Sequence, residues 1–179
     1  MGRRPVRRRS GGPRILLSRL FVAVFPSEEA RDHLRARLPH RAARRPEKWH
    51  VTLAFLGEVP DGDTVLVSRA LATVPPPGPM SLRLAGTGRF GPVIWTGLRG
   101  DVEALGAFRE DVRGALEGAG FPIDERPFRP HLTITYRYDR SIATVLADYA
   151  GPPWPVEKLA LVHSADGDYL PVWERPLSP

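Results

Sequence analysis

Two tripeptides stand out by residue type and spacing, His50-Val51-Thr52 and His131-Leu132-Thr133. On a β-strand, residues i and i+2 share a face, so each motif sets one imidazole beside one hydroxyl while Val51 and Leu132 point the other way. Histidine titrates near neutrality and can give or take a proton, and a threonine hydroxyl has one proton to donate. A single such pair is ordinarily a surface or core feature; the repetition carries the weight. Five His and eight Thr in 179 residues give 5 × 8/179, about 0.2, such tripeptides by chance, and there are two. Both open apolar runs, 81 positions apart and each in its own half of the chain. That is the pattern of a duplicated lobe presenting its residues to a shared cleft.

Several chemistries are excluded. With no cysteine there is no disulfide framework, iron–sulfur cluster, thiolate zinc site or Cys nucleophile. A metal hydrolase with His50 and His131 as ligands stays a rival reading, weakened by the lack of the closely spaced carboxylate or third His that such sites usually carry near a motif. His33 and His40, in or after an Arg-rich helix, read as solvated, and His163 lies far from any such motif.

The flanking elements are legible from periodicity. Leu20 to Phe25 reads as a buried strand, and Ser27-Glu28-Glu29 as the cap and acidic first turn of a helix carrying Leu34 and Leu38. A polar loop over 41–48 leads into a strand from Val51 to Leu56, closed by Gly57. Residues 61–74 suit a helix that the proline run 75–79 ends. Strands follow around 80–84 and 93–95. Asp101 reads as the cap of a longer helix that ends at Gly118 and Gly120. A strand from His131 to Tyr138, a short helix from Ser141 to Tyr149, a Pro/Gly loop and strands near 156–163 and 168–174 complete the chain. Many strand connections are too short for parallel crossovers, so the expected class is α+β with largely antiparallel sheets.

On these residues the chain resembles the two-histidine (2H) phosphoesterases, and within them the bacterial and archaeal RNA 2′,3′-cyclic phosphodiesterases. The resemblance runs from Arg19 to Leu177. Arg19-Leu20-Phe21-Val22-Ala23-Val24 is similar to the family's opening strand, Trp49 to Gly57 to its first motif, and Arg126 to Ile134 to its second. Weaker similarity lies in Gly86 to Phe90, Val93-Ile94-Trp95, and the segment with Ser164, Gly167 and Tyr169. Ala54 and Tyr136 stand where relatives often carry arginine, with Arg137 one place late. The resemblance implies two pseudo-symmetric lobes of antiparallel sheet with outer helices around a central cleft. It also implies an enzyme that hydrolyses the 2′,3′-cyclic phosphate of RNA ends or nucleotides to a 2′-phosphomonoester.

In that reaction a base activates water and an acid protonates the departing ribose oxygen from the opposite side of phosphorus. His50 is taken as the acid and His131 as the base, with Thr52 and Thr133 as donors to the phosphate oxygens. No step calls for a metal or other cofactor. Lys48, Arg129 and Arg137 flank the motifs as candidate substrate contacts, set against the ordinary fate of such charges, which is solvation. Phe90 and Tyr169 read as core residues, with base stacking as the alternative. The other readings are a non-catalytic module that grips a nucleotide or RNA end, and a 2H enzyme acting on another cyclic phosphate or a 2′-5′ linkage.

The net charge of +6 suggests nucleic acid, but its distribution qualifies this. Residues 1–18 hold six arginines and no acid, leaving 20 basic and 20 acidic groups in residues 19–179. The expected organisation is a basic, disordered tail over 1–18 and one bilobal domain over 19–179. Arg19 interrupts the apolar run from Ile15 to Phe25, no small-residue cleavage site follows, and no stretch approaches the ~18 apolar residues of a membrane span. A cytoplasmic monomer without membrane contact is expected, its partners being RNA ends or cyclic nucleotides.

Overall fold

Side chains alternating along Leu20 to Val24 are buried on both faces, and this run forms the interior strand β1 (Leu17–Val24), with Leu20, Val22 and Val24 in the main core and Phe21 and Ala23 in a smaller cluster on the opposite face. The computed structural model describes residues 16–177. In chain order the remaining elements are α1 (Glu28–Arg37), β2 (Val51–Pro60), α2 (Thr64–Thr73), β3 (Ser81–Phe90), β4 (Val93–Gly100), α3 (Val102–Gly118), β5 (His131–Thr135), α4 (Arg140–Ala147), β6 (Ala150–Pro155), β7 (Lys158–Ala165) and β8 (Asp168–Pro176), with short 3-10 turns between. The strands run β6-β3-β4-β5-β2-β1-β7-β8 across the sheet, and every pair is antiparallel.

The sheet is two four-stranded halves joined at one residue pair, Val51 opposite Leu132. In one half β1-α1-β2 delivers the first motif; in the other β4-α3-β5 delivers the second. Helices cross between halves: α1 packs on β6 and β3, while α3 packs on β2 and α2. The class is α+β with antiparallel sheets, as expected, but neither half closes its core alone.

Local chemistry sets most boundaries. The Ser27 hydroxyl accepts from Ala30 N at 3.2 Å, with Glu28 and Glu29 in the first turn of α1. Arg175 of β8 donates to the carbonyls of Leu71, Ala72 and Val74, satisfying the end of α2. The sequence reading needs correction at several ends. Residues Leu17 and Ser18, read as tail, are strand; Leu17 pairs with Pro60. Gly57 does not close β2, because its φ of +72° accommodates a bulge opposite Leu20 and the strand continues to Pro60. Asp101 does not cap α3; its carboxylate accepts from Ser81 N at 2.8 Å. The strand expected to Tyr138 stops at Thr135, whose hydroxyl accepts from Arg137 N and donates to its carbonyl. The loop read after Tyr149 is β6, an edge strand where Pro152, Pro153 and Pro155 cost no interior ladder bond. The expected tail over residues 1–15 lies outside the described residues.

Candidate active site

Val51 and Leu132 are fully buried at the junction of the halves. One step either way along antiparallel strands sets His50 opposite Thr133 and Thr52 opposite His131, all four on the face away from that pair. The imidazoles are thus diagonal neighbours, each facing the other motif's threonine. Two adjoining cavities reflect this: His50 and Thr133 line one of 860 Å³, Thr52 and His131 one of 570 Å³.

Both rings are tethered in the same way. Nδ1 of His50 lies 2.7 Å from the carbonyl of Lys48, and Nδ1 of His131 lies 2.6 Å from that of Arg129, two residues upstream in each case. A carbonyl only accepts, so Nδ1 carries the proton and Nε2 is left to exchange one. Phe21 stacks under His50 at 4.7 Å, and Tyr169 meets it edge-on at 5.3 Å. Phe90 meets His131 edge-on at 5.1 Å, with Trp95 at 5.7 Å. Burial lowers the pKa of His50 below its usual value; the bond to Lys48 opposes this in part, and the nearby His131 adds to the lowering.

Phe90 and Tyr169, expected in the core, both stand against the imidazoles; Tyr169 also packs on the smaller apolar cluster around Phe21, whereas Phe90 is 39% exposed. Phe21 was hidden in an apolar run; only the second, smaller apolar cluster it forms with Ala23, Ala160 and Val162 reveals its face. Trp95 pairs with Thr133 across β4 and β5. Its ring leaves no room for a side chain at residue 88, where a Cβ would come within 2.1 Å, so Gly88 is required there.

The flanking cations are divided between the cavities. Lys48 and Arg137 border the larger and Arg129 the smaller. Lys48 Nζ bonds Asp168 Oδ1 at 2.7 Å and also the Gly167 carbonyl, and sits 5.5 Å from the Tyr169 ring. Ala54, in the first motif, is buried. Sequence reasoning passed over Arg109, a charged residue on α3 only 7% exposed. It donates to the carbonyl of Leu53, next to Thr52, at 3.3 Å, and to that of Asp124, on the approach to His131, at 3.0 Å. It also pairs with Glu110 and lies over Phe128. One guanidinium therefore ties together the segments that carry both motifs. Away from the cleft, His33 is not simply solvated; its Nδ1 is 3.1 Å from the Tyr149 hydroxyl. Among the described residues, no three His, Asp or Glu side chains are grouped as metal ligands.

The family model of the 2′-5′ RNA ligase superfamily matches residues 24–168, a span that includes both motifs. The chain belongs to the 2′-5′ RNA ligase superfamily. Within the superfamily, a Thermus thermophilus protein named RNA 2′,3′-cyclic phosphodiesterase is 35% identical over 165 residues, 82% of this chain and 81% of that protein. A Geobacillus stearothermophilus protein of the same name is 37% identical over 134 residues, 68% of this chain. The match spans 42% of that longer relative's length. Among solved superfamily structures, that of Escherichia coli LigT complexed with 3′-AMP superposes with a TM-score of 0.73 at 25% identity, covering 92% of this chain and all of that one.

Proposed function

We propose that this superfamily member hydrolyses 2′,3′-cyclic phosphates at RNA ends or on nucleotides to 2′-phosphomonoesters, with His50 as general acid, His131 as general base, and no metal. The observation that carries the reading is the crossed arrangement of the motifs: two Nδ1-tethered imidazoles on a diagonal, each facing a threonine. The relatives' name, RNA 2′,3′-cyclic phosphodiesterase, supplies the reaction.

Water attacks phosphorus in line with the P–O3′ bond while Nε2 of His131 takes its proton. The P–O3′ bond breaks, and O3′ leaves as a hydroxyl with the proton from Nε2 of His50. Thr52 and Thr133 donate to the non-bridging oxygens as their charge grows. Burial favours neutral His50 in the free protein, and an anionic phosphate beside the ring restores the protonated form that the acid requires. Both motifs come from one chain, so the site is complete in a monomer. Among the described residues no helix is long and apolar enough to cross a membrane; action in the cytoplasm is part of the same proposal.

The test is turnover of the four 2′,3′-cyclic mononucleotides, with products separated against authentic 2′- and 3′-monophosphates, with and without chelator. A 2′-phosphate formed at an unchanged rate in chelator is expected. Binding without turnover would make the protein a non-catalytic module; chelator loss restored by a divalent ion would assign the water-activating role to a metal.

A further inference from the structure

Each motif histidine is tethered to the carbonyl two residues before it, but the two carbonyls are held by different means. In the second motif the residue between is Pro130. Its ring fixes its own φ and confines the preceding Arg129 to extended backbone, so local covalent geometry sets the Arg129 carbonyl. In the first motif that residue is Trp49, which is buried but imposes no such restraint, and Lys48 ends a single 3-10 turn, Pro46–Lys48. Such turns have poor hydrogen-bond geometry, so the Lys48 carbonyl lacks the restraint that Pro130 gives its counterpart.

The β7–β8 hairpin supplies a substitute. Asp166 and Gly167, with φ of +50° and +78°, make its two-residue turn, and Asp168 follows as the first residue of β8. Its Oδ1 accepts from Lys48 Nζ at 2.7 Å and from Arg45 Nη1 at 2.8 Å, and Lys48 Nζ also bonds the Gly167 carbonyl. Arg45 precedes the 3-10 turn and Lys48 closes it, with Lys48 N donating to the Arg45 carbonyl at 3.0 Å. One carboxylate therefore grips both ends of the turn. The Lys48 side chain is only 18% exposed, against 75% for Asp168. A pair with so exposed an acid adds little to stability, which leaves placement as its contribution.

We infer that Asp168 is a positioning residue: through Lys48 it holds the carbonyl that fixes the His50 ring, doing for the first motif what Pro130 does for the second. Resting on the hydrolase reading above, this makes Lys48 a strut rather than a phosphate contact. When the strut is cut, the Lys48 carbonyl loosens and Nδ1 of His50 loses its acceptor. The ring then turns and takes up the other tautomer, with the proton on Nε2, and Nε2 is no longer aimed at the departing oxygen.

The experiment compares Asp168→Asn, Lys48→Met and the double variant with the wild type, all as the full chain. Steady-state kinetics use a 2′,3′-cyclic mononucleotide, and nitrogen NMR of the neutral imidazoles reports their tautomers. Each single variant should lower kcat about tenfold with KM within about twofold of the wild type, the cost of a misplaced acid. The double variant should lose no more than either single one, because both changes cut the same strut. His50 should carry its proton on Nδ1 in the wild type and gain the Nε2 form in the variants, while His131, held through Pro130, keeps its wild-type signals. A phosphate contact predicts another pattern: Lys48→Met raises KM, and Asp168→Asn, by freeing the ammonium, lowers it. That pattern would overturn the strut, as would unchanged kcat in Asp168→Asn, multiplied losses in the double variant, an unchanged His50 tautomer or an equal change in both imidazoles. A wild type that turns over no cyclic nucleotide would instead sink the hydrolase reading, and the tautomer comparison would still decide the strut.

Discussion

Thr52 and Thr133 each stand opposite the other motif's histidine, and this crossing makes their roles separable. Thr52→Ala and Thr133→Ala should each lower kcat about 10- to 10³-fold with a smaller change in KM, because each removes one donor to an oxygen whose charge grows in the transition state; steady-state kinetics on a cyclic mononucleotide check this. The acid and base are distinguishable by pH. Burial depresses the His50 pKa below its ordinary 6.5, so a His50 acid is active when protonated, at low pH. The residual kcat/KM of His131→Ala should therefore fall as pH rises, with a midpoint below 6.5, and that of His50→Ala should rise with pH. Opposite slopes would exchange the roles. The four motif residues were legible because alternation fixes their shared face and chance rarely repeats the tripeptide. Their aromatic surroundings were not, since an apolar residue such as Phe21 looks the same in sequence whichever buried face it occupies.

At the scale of elements, the site depends on two strands that meet at one residue pair, and the contacts that hold them come from outside the sheet. Arg109 on α3 supplies the most direct of these, bonding the carbonyls of Leu53 and Asp124. Arg109→Met keeps much of the packing and leaves both carbonyls without this partner. It should cost about 2–3 kcal/mol, lowering Tm by roughly 5–10 °C for a domain of this size, measured by thermal unfolding; a loss within 0.5 kcal/mol would show that the clamp is dispensable. Strand and helix identities were readable from periodicity, and their ends were not. A bulge at Gly57, prolines tolerated at the β6 edge and the diversion of Asp101 to Ser81 all depend on which neighbour lies across the sheet, which one-dimensional spacing does not encode. Arg109 was passed over for the same reason, as an arginine in a helix normally reads as a solvated charge.

For the whole molecule, the halves trade helices across their junction, α1 covering strands of the second half and α3 a strand of the first. The repeat was visible in sequence as two motifs in two halves, but this exchange was not, because each helix is amphipathic whichever half it covers. We predict that the basic N-terminal segment is dispensable for turnover of small substrates. Leu16 and Ser18 are engaged, through the Leu16 carbonyl with Asp61 N and the Ser18 hydroxyl with the Asp61 carboxylate, so truncation belongs before residue 16. Deleting residues 1–15 should leave turnover of cyclic mononucleotides unchanged while binding of long RNA weakens and loses part of its salt dependence, as titrations at several salt concentrations would report. Inactivity of the folded truncated protein on mononucleotides would refute this. The joined halves exist, on this reading, to hold two imidazoles on either side of one phosphorus, and turnover of a 2′,3′-cyclic mononucleotide by His50→Ala and His131→Ala addresses that directly. Each variant should fold as the wild type does and lose about 10²-fold or more in kcat; near-normal turnover by either one would contradict the paired acid–base mechanism.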